Sequence, residues 1–311
     1  MRFDDKASYL KYPALKEKVD AIICAERSSV LHPSSILKIQ EYRDKNATMD
    51  EKSYYKDLVP MVMKDKTHIS TKKRTATEEI VLQARSLADE GLIQKTDCLF
   101  LKGILPHRET VEYALGLTEP KPDYVFARRS PQHPDPTAPI QSNQVKRLIG
   151  VAPGTKHAFF AIENKNCNGS IEEAENQAIK TGGTLVEANR GLRNLADPDR
   201  QWVLGADLDS LAFTCCWVPT LARIYLHWVE VVEGQYARAV VYHTNRVGSY
   251  LMDDAEHVAA LRRNAHNILE WGIDQRRQEE LQGLEEKLGS MEELHKPSSS
   301  KAASQKSSVT S

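Results

Sequence analysis

The run Phe159-Phe160-Ala161-Ile162 leads directly into Glu163-Asn164-Lys165. Apolar residues at successive positions suit a strand covered on both faces. Side chains alternate along a strand, so Glu163 and Lys165 share one face. A carboxylate and an ammonium thus stand side by side where a buried strand ends. Such groups are costly to bury unpaired. Either they satisfy each other and a third partner, or they hold a metal ion and an anionic substrate. Upstream, Pro122-Asp123 opens a second run, Tyr124-Val125-Phe126, and supplies another carboxylate. The short patterns are not specific by themselves. Acidic-x-Lys also occurs at Asp4–Lys6, Asp50–Lys52, Glu119–Lys121 and Glu285–Lys287, and Pro-Asp recurs at Asp135 and Asp199. Only Glu163–Lys165 ends a buried-strand run, and only Pro122-Asp123 begins one upstream of it.

The elements that must position these residues are legible nearby. Ser170 fits a helix N-cap, with Glu172 and Glu173 in the first turn, where the helix dipole favours them. Glu173 follows Ser170 by the capping-box spacing. Ile171, Ala174, Ala178, Gly182 and Leu185 form a stripe that would cover a sheet. Glu175 lies at its edge and Gln177 about a quarter turn further round. SLAFTCCWV, RIYLHWVEVV and YARAVVYH, over 210–243, read as three strands. Residues 231–235 form the turn between the last two, and Pro219 separates the first two. Helices are expected over Ala14 to Arg27, Met49 to Lys64 (with Asp50 as N-cap), Thr77 to Leu92, and Asp253 to about Leu288, the last interrupted at Gly272. The stretch 128–147, with four prolines, reads as a long loop.

Composition sets the limits. The chain has 311 residues, with 42 Lys+Arg against 43 Asp+Glu, a formal net charge of -1. That excludes a uniformly basic protein coating nucleic acid, though not a local basic groove. Hydrophobic content of 41% is enough for a core. No signal-like or membrane-spanning stretch is found. The five cysteines form no CxxC pair, so an intracellular, reducing compartment, nucleus or cytoplasm, is expected. Cys215 and Cys216 are adjacent in a strand and should face opposite ways. His227 and His243 also fall in strands, without further ligands at zinc spacing. Lys64, Lys66, His68, Lys72, Lys73 and Arg74 make the densest basic cluster, either a solvated loop or a phosphate track. Arg128-Arg129 has the same two readings. The domain division read from these features is 1–48 as an N-terminal segment, 49–290 as the main domain, and 291–311 as a disordered Ser/Lys tail.

Strand, strand, helix with Asp and then Glu-x-Lys is the core pattern of the PD-(D/E)XK nucleases. The ordered set PDYVFARR, FFAIENKN, EEAENQA, IYLHWVEVV, VVYHTNRVGSYL and NILEWGIDQRR resembles fungal PD-(D/E)XK nuclease-like proteins over roughly residues 50–280. The resemblance implies an α+β fold with a restriction-endonuclease-like core, a mixed central sheet flanked by helices, and extra C-terminal strands and helix. It implies Mg²⁺ (or Mn²⁺) bound by Asp123 and Glu163, with the backbone carbonyl of Asn164 as a further ligand. Lys165 would orient a water or neutralise charge at phosphorus. Gln177 would correspond to the helix glutamine of some branches, with Thr181 standing where those carry a tyrosine. Glu51, in DEKSYYKDLVPMVM, best matches the acid on the upstream helix. There the family's Asn-Glu followed by Trp is replaced by Asp50-Glu51 followed by Tyr54 and Tyr55.

Three functions are compatible with these residues. The first is Mg²⁺-dependent hydrolysis of DNA or RNA phosphodiesters through Asp123, Glu163 and Lys165. The second is a nuclease-fold protein that no longer cuts and serves as a binding or interaction module. The third is an α+β scaffold whose Glu-Lys pair is structural. No membrane partner is expected, and nothing in the sequence sets the oligomeric state.

Overall fold

Strand β4 (Thr155–Asn164) is the axis of the molecule: residues 157–164 are all buried, as the apolar run requires. The computed structural model describes residues 2–3, 8–25, 33–46, 50–63, 92–97, 99–100, 120–129, 143–152 and 154–294. The basic cluster at 64–74, residues 77–91 of the helix expected over Thr77 to Leu92, residues 130–142 of the loop expected over 128–147 and the tail from 295 lie outside these residues. The described ends differ from expectation, since Leu92 opens a strand, Arg128-Arg129 close one, and residues 143–147 and 291–294 are helical.

In chain order the elements are β1 (Arg2–Phe3), α1 (Pro13–Ile23), α2 (Pro33–Asn46), α3 (Glu51–Met63), β2 (Leu92–Thr96), β3 (Tyr124–Arg129) and α4 (Asn143–Ile149). After β4 come α5 (Ile171–Ala196), β5 (Gly205–Ala206), β6 (Ala212–Val218), β7 (Leu221–Glu233), β8 (Arg238–Leu251), α6 (Ala255–Ile273) and α7 (Gln275–Leu294). The sheet order is β1-β8-β7-β6-β4-β3-β2, with β5 beside β7. β2, β3 and β4 form an antiparallel meander, while β4 and β6 run parallel. Parallel neighbours need a crossover, and α5 supplies it. This is the mixed α+β architecture that the resemblance implies. None of the described helices is long and apolar enough to cross a membrane.

Alternation along the strands divides the core. Tyr124, Phe126, Phe160, Ile162, Phe213, Cys215 and Trp217 join one cluster, which α1, α3 and α6 complete with Leu15, Val19, Leu58, Val62, Leu261 and Ile268. Val125, Ala127, Ala161 and Ala212 face the other way, under Leu185 and Val186 of α5. Cys216 lies under Ile171, Ala174 and Ala178, opposite to Cys215 as expected. Each large apolar side chain so buried contributes about 1.5–3 kcal/mol.

The helix α5 begins as the sequence predicts. Ser170 and Glu173 form a reciprocal capping box, and the stripe Ile171, Ala174, Ala178, Gly182 and Leu185 is buried. Gly182 is required here, because a Cβ would lie 2.2 Å from Cγ of the buried His227.

Helix α1 ends at Ile23, before the expected Arg27, and three further boundaries differ from expectation. The break after α6 falls at Asp274, not at Gly272. Gly272 sits inside the helix because the Phe159 ring occupies the place of a Cβ, 2.0 Å away. Strand β8 continues to Leu251 through the polar run Thr244-Asn245-Arg246, whose first two side chains have buried partners: Thr244 meets His227, and Asn245 accepts from Trp228 and Ser8. The β7–β8 turn lies over Gly234–Ala237, closed by Gly234 N donating to Ala237 O at 3.0 Å.

Candidate functional site

Register aligns three acids at one edge of the meander. Thr96 pairs with Tyr124 and Tyr124 with Ile162. One step further, Asp97 N donates to Asp123 O at 3.1 Å, while Asp123 Oδ2 accepts from Asn164 N at 2.7 Å. Asp97, Asp123 and Glu163 therefore occupy successive ends of β2, β3 and β4. Asp97 has φ of 52°, a left-handed conformation that Asp tolerates better than most residues.

A cavity of about 520 Å³ opens beside this row. Asp50, Asp97, Asp123, Asn164, Tyr55, Tyr124, Thr96 and Lys56 line it. Helix α3 forms one wall and is pinned to the strand ends by tyrosines. Tyr55 Oη lies 2.9 Å from Lys165 O and 3.0 Å from Trp217 O, donating to these carbonyls. Tyr124 Oη donates to Tyr55 O at 2.9 Å. Burial, then the Asp123 charge, pushes the Tyr124 hydroxyl up to about 12, so it stays a donor at neutral pH. Asp50 caps α3 as expected, accepting from Ser53 N at 3.0 Å. Glu51 is the first residue of α3, next to Asp50, and its side chain lies outside the described set.

Glu163 and Lys165 do not line the cavity. Glu163 is 2% exposed and accepts from Thr181 Oγ1 of α5 at 2.5 Å. Lys165 is half-buried at the mouth of the β4–α5 loop, its backbone N donating to Trp217 O at 2.9 Å. Its stem lies against Gly169, where a Cβ would stand 2.8 Å from Lys165 Cβ. Gln177 is exposed on α5, outside the cavity lining. Asn164 is buried, and its Oδ1 has no hydrogen-bond partner among the described residues.

The geometry thus brings Asp123 and Asn164 to one cavity, places Glu163 behind them under α5, and sets Lys165 beside the loop that leads into that helix. Among the described residues no three His, Cys, Asp or Glu side chains converge closely enough to cage a metal directly. Asp97 and the tyrosine ties escape sequence reasoning. Asp97 follows the short run Leu92-Ile93-Gln94 without any motif, and its relation to Asp123 depends on strand pairing. His227 is structural: it sits between Thr214 and Thr244 hydroxyls at 2.7 and 3.0 Å, and burial lowers it to about 3.

A family model for a domain of unknown function, DUF7924, matches residues 38–279, and the chain belongs to that family. No curated protein matches the chain.

Proposed function

We propose that this DUF7924 member is a Mg²⁺-dependent hydrolase of DNA or RNA phosphodiesters, working at the strand-end site of Asp123, Glu163 and Lys165. The observation that carries this reading is the cross-strand placement of Asp123 beside Glu163 and Asn164, held by the bond from Asn164 N to Asp123 Oδ2 at 2.7 Å. Asp123 leads into β3 and Glu163 lies at the end of its antiparallel neighbour β4, with Asp123 on the cavity and Lys165 two residues beyond Glu163.

The donors suit a hard cation. Asp123 and Asn164 offer oxygen, and the buried Asn164 Oδ1, an acceptor without a donor among the described residues, gains from an adjacent positive charge. Asp123, Glu163 and Asn164 would hold the ion, with Asp50-Glu51 on the α3 side. When bound, Mg²⁺ lowers the pKa of a water and stabilises negative charge on a phosphodiester oxygen.

The chain's own groups do the rest. Thr181 fixes the Glu163 carboxylate. Tyr55 ties the Lys165 backbone to α3, so the ammonium starts from a fixed point. In this reading the ammonium would neutralise a non-bridging phosphate oxygen as water adds to phosphorus, the bond from phosphorus to the leaving oxygen breaks and that oxygen takes up a proton. By analogy with oxyanion donors, its loss removes about 3 kcal/mol of transition-state stabilisation.

The test is incubation with single- and double-stranded DNA and RNA, with Mg²⁺, Mn²⁺ or a chelator, beside Lys165→Ala. Metal-dependent cleavage lost in the variant supports the reading. Activity that survives in Lys165→Ala and in chelator rejects it. One observation favours the second reading, a nuclease-fold interaction module: Glu163 is covered by α5 and engaged by Thr181. Metal-independent nucleic-acid binding without cleavage, retained in Lys165→Ala, is its signature.

A further inference from the structure

We propose that Asp97 is a third carboxylate of the cation site, so that the cavity takes a hydrated divalent cation from its Asp97–Asp123 side. The inference rests on the reading of Asp123 as a cation ligand.

Four observations lead to it. Asp97 is held to Asp123 by backbone, through Asp97 N to Asp123 O at 3.1 Å, and both residues line the cavity. Among the described residues the lining carries Asp50, Asp97 and Asp123 with Lys56, and Lys121 stands beside Asp97, so the described carboxylates outnumber the ammonium groups. A phosphate approaching such a surface is repelled until a cation neutralises it. Independently, Asn164 on the same wall is buried, with an Oδ1 that has no donor among the described residues. An orphaned buried acceptor is costly, and either a cation or a cation-bound water relieves it.

The size of the cavity fits an ion that keeps its waters. Mg²⁺ dehydrates reluctantly and is usually held by one or two carboxylates with several waters. Six waters at about 30 Å³ each occupy about 180 Å³, well within the cavity of about 520 Å³. This also accommodates the lack of a close three-acid cage among the described residues. The Asp97 carboxylate is 42% exposed and 3.9 Å from Lys121 Nζ, an exposed pair of the kind that contributes little to stability.

The probe is Mn²⁺ alone, titrated into the full chain and followed by the paramagnetic resonance signal of the free ion. Asp97→Asn tolerates the same left-handed backbone, and Asp97→Gly removes the side chain where glycine is at ease. Both are expected to weaken Mn²⁺ binding tenfold or more with an unchanged melting curve. Asp199→Asn, an exposed acid outside the cavity lining, should bind like the unmodified chain. Equal Mn²⁺ binding by the Asp97 variants, or none by the unmodified chain, overturns the inference. Mn²⁺ binding through Asp97 with no cleavage of any nucleic acid leaves it standing and removes the nuclease reading. Metal-dependent cleavage with Asp97-independent binding does the reverse.

Discussion

Thr181 Oγ1 donates to Glu163 Oε1 across 2.5 Å, tying the crossover helix to the end of the central strand. One hydroxyl therefore sets where the carboxylate points. Thr181→Val keeps the shape and deletes the donor. Leaving a buried acceptor short of a partner costs about 1–3 kcal/mol. The expected loss appears as a lower midpoint in urea with an unchanged slope. A midpoint equal to that of the unmodified chain contradicts the role given to Thr181.

Acid should destabilise the fold partly through His227. Its folded pKa is about 3, depressed by burial, against 6.5 for the ordinary group. Between these values the unfolded chain binds the proton and the folded chain does not. Stability therefore rises with pH in this window and falls on acidification from about 6.5 towards 3. The slope is roughly 1 kcal/mol per pH unit for one such group. His157, also lowered by burial, acts with the same sign. His227→Gln retains hydrogen-bonding atoms for Thr214 and Thr244. Urea titrations from pH 7 to pH 4 should show a slope shallower by about one proton, and an identical slope refutes the assignment.

Gly272→Ala offers a test in which the sign matters. In an open helix position the change gains about 1 kcal/mol. Here the added Cβ meets the Phe159 ring at 2.0 Å. Overpacking of that kind costs about 1–3 kcal/mol. Thermal melting should show a lower midpoint, whereas a higher one means the contact is loose.

The last helix is held by Glu285, which accepts from Lys156 Nζ and pairs with His157 Nε2, each at 2.6 Å. Burial opposes the Glu285 charge, but these two partners outweigh it and bring the carboxyl down to about 2. Glu285→Ala should weaken α7 docking by about 1.5–3 kcal/mol. Hydrogen exchange is the readout: amides over 275–294 should exchange faster while those of β4 and β6 keep their protection.

What was legible in the sequence was mostly local. Ser170 and Glu173 cap α5 because capping depends on spacing alone, and the Ile171–Leu185 stripe follows from helical period. The burial of Phe159 to Ile162 follows from their apolarity. What escaped depends on distant partners. The strand reads as ending at His243, before Thr244 and Asn245, because the partners of those two polar residues, His227, Trp228 and Ser8, lie elsewhere in the chain. Gly272 reads as a helix breaker until Phe159 is seen beneath it. At the site, Asp123, Glu163, Asn164 and Lys165 stand out by their place around apolar runs. Asp97 does not, because only the pairing of β2 with β3 brings it to Asp123.

The most direct test of the account is the single-turnover cleavage rate of a labelled oligonucleotide in Mg²⁺, measured for the unmodified chain and for Asp123→Asn. Asp123 both bonds Asn164 N and lines the cavity. The account predicts metal-dependent cleavage that falls about a hundredfold or more in the variant, as loss of an electrostatic stabiliser does. Equal rates, or no cleavage by either protein, contradict it.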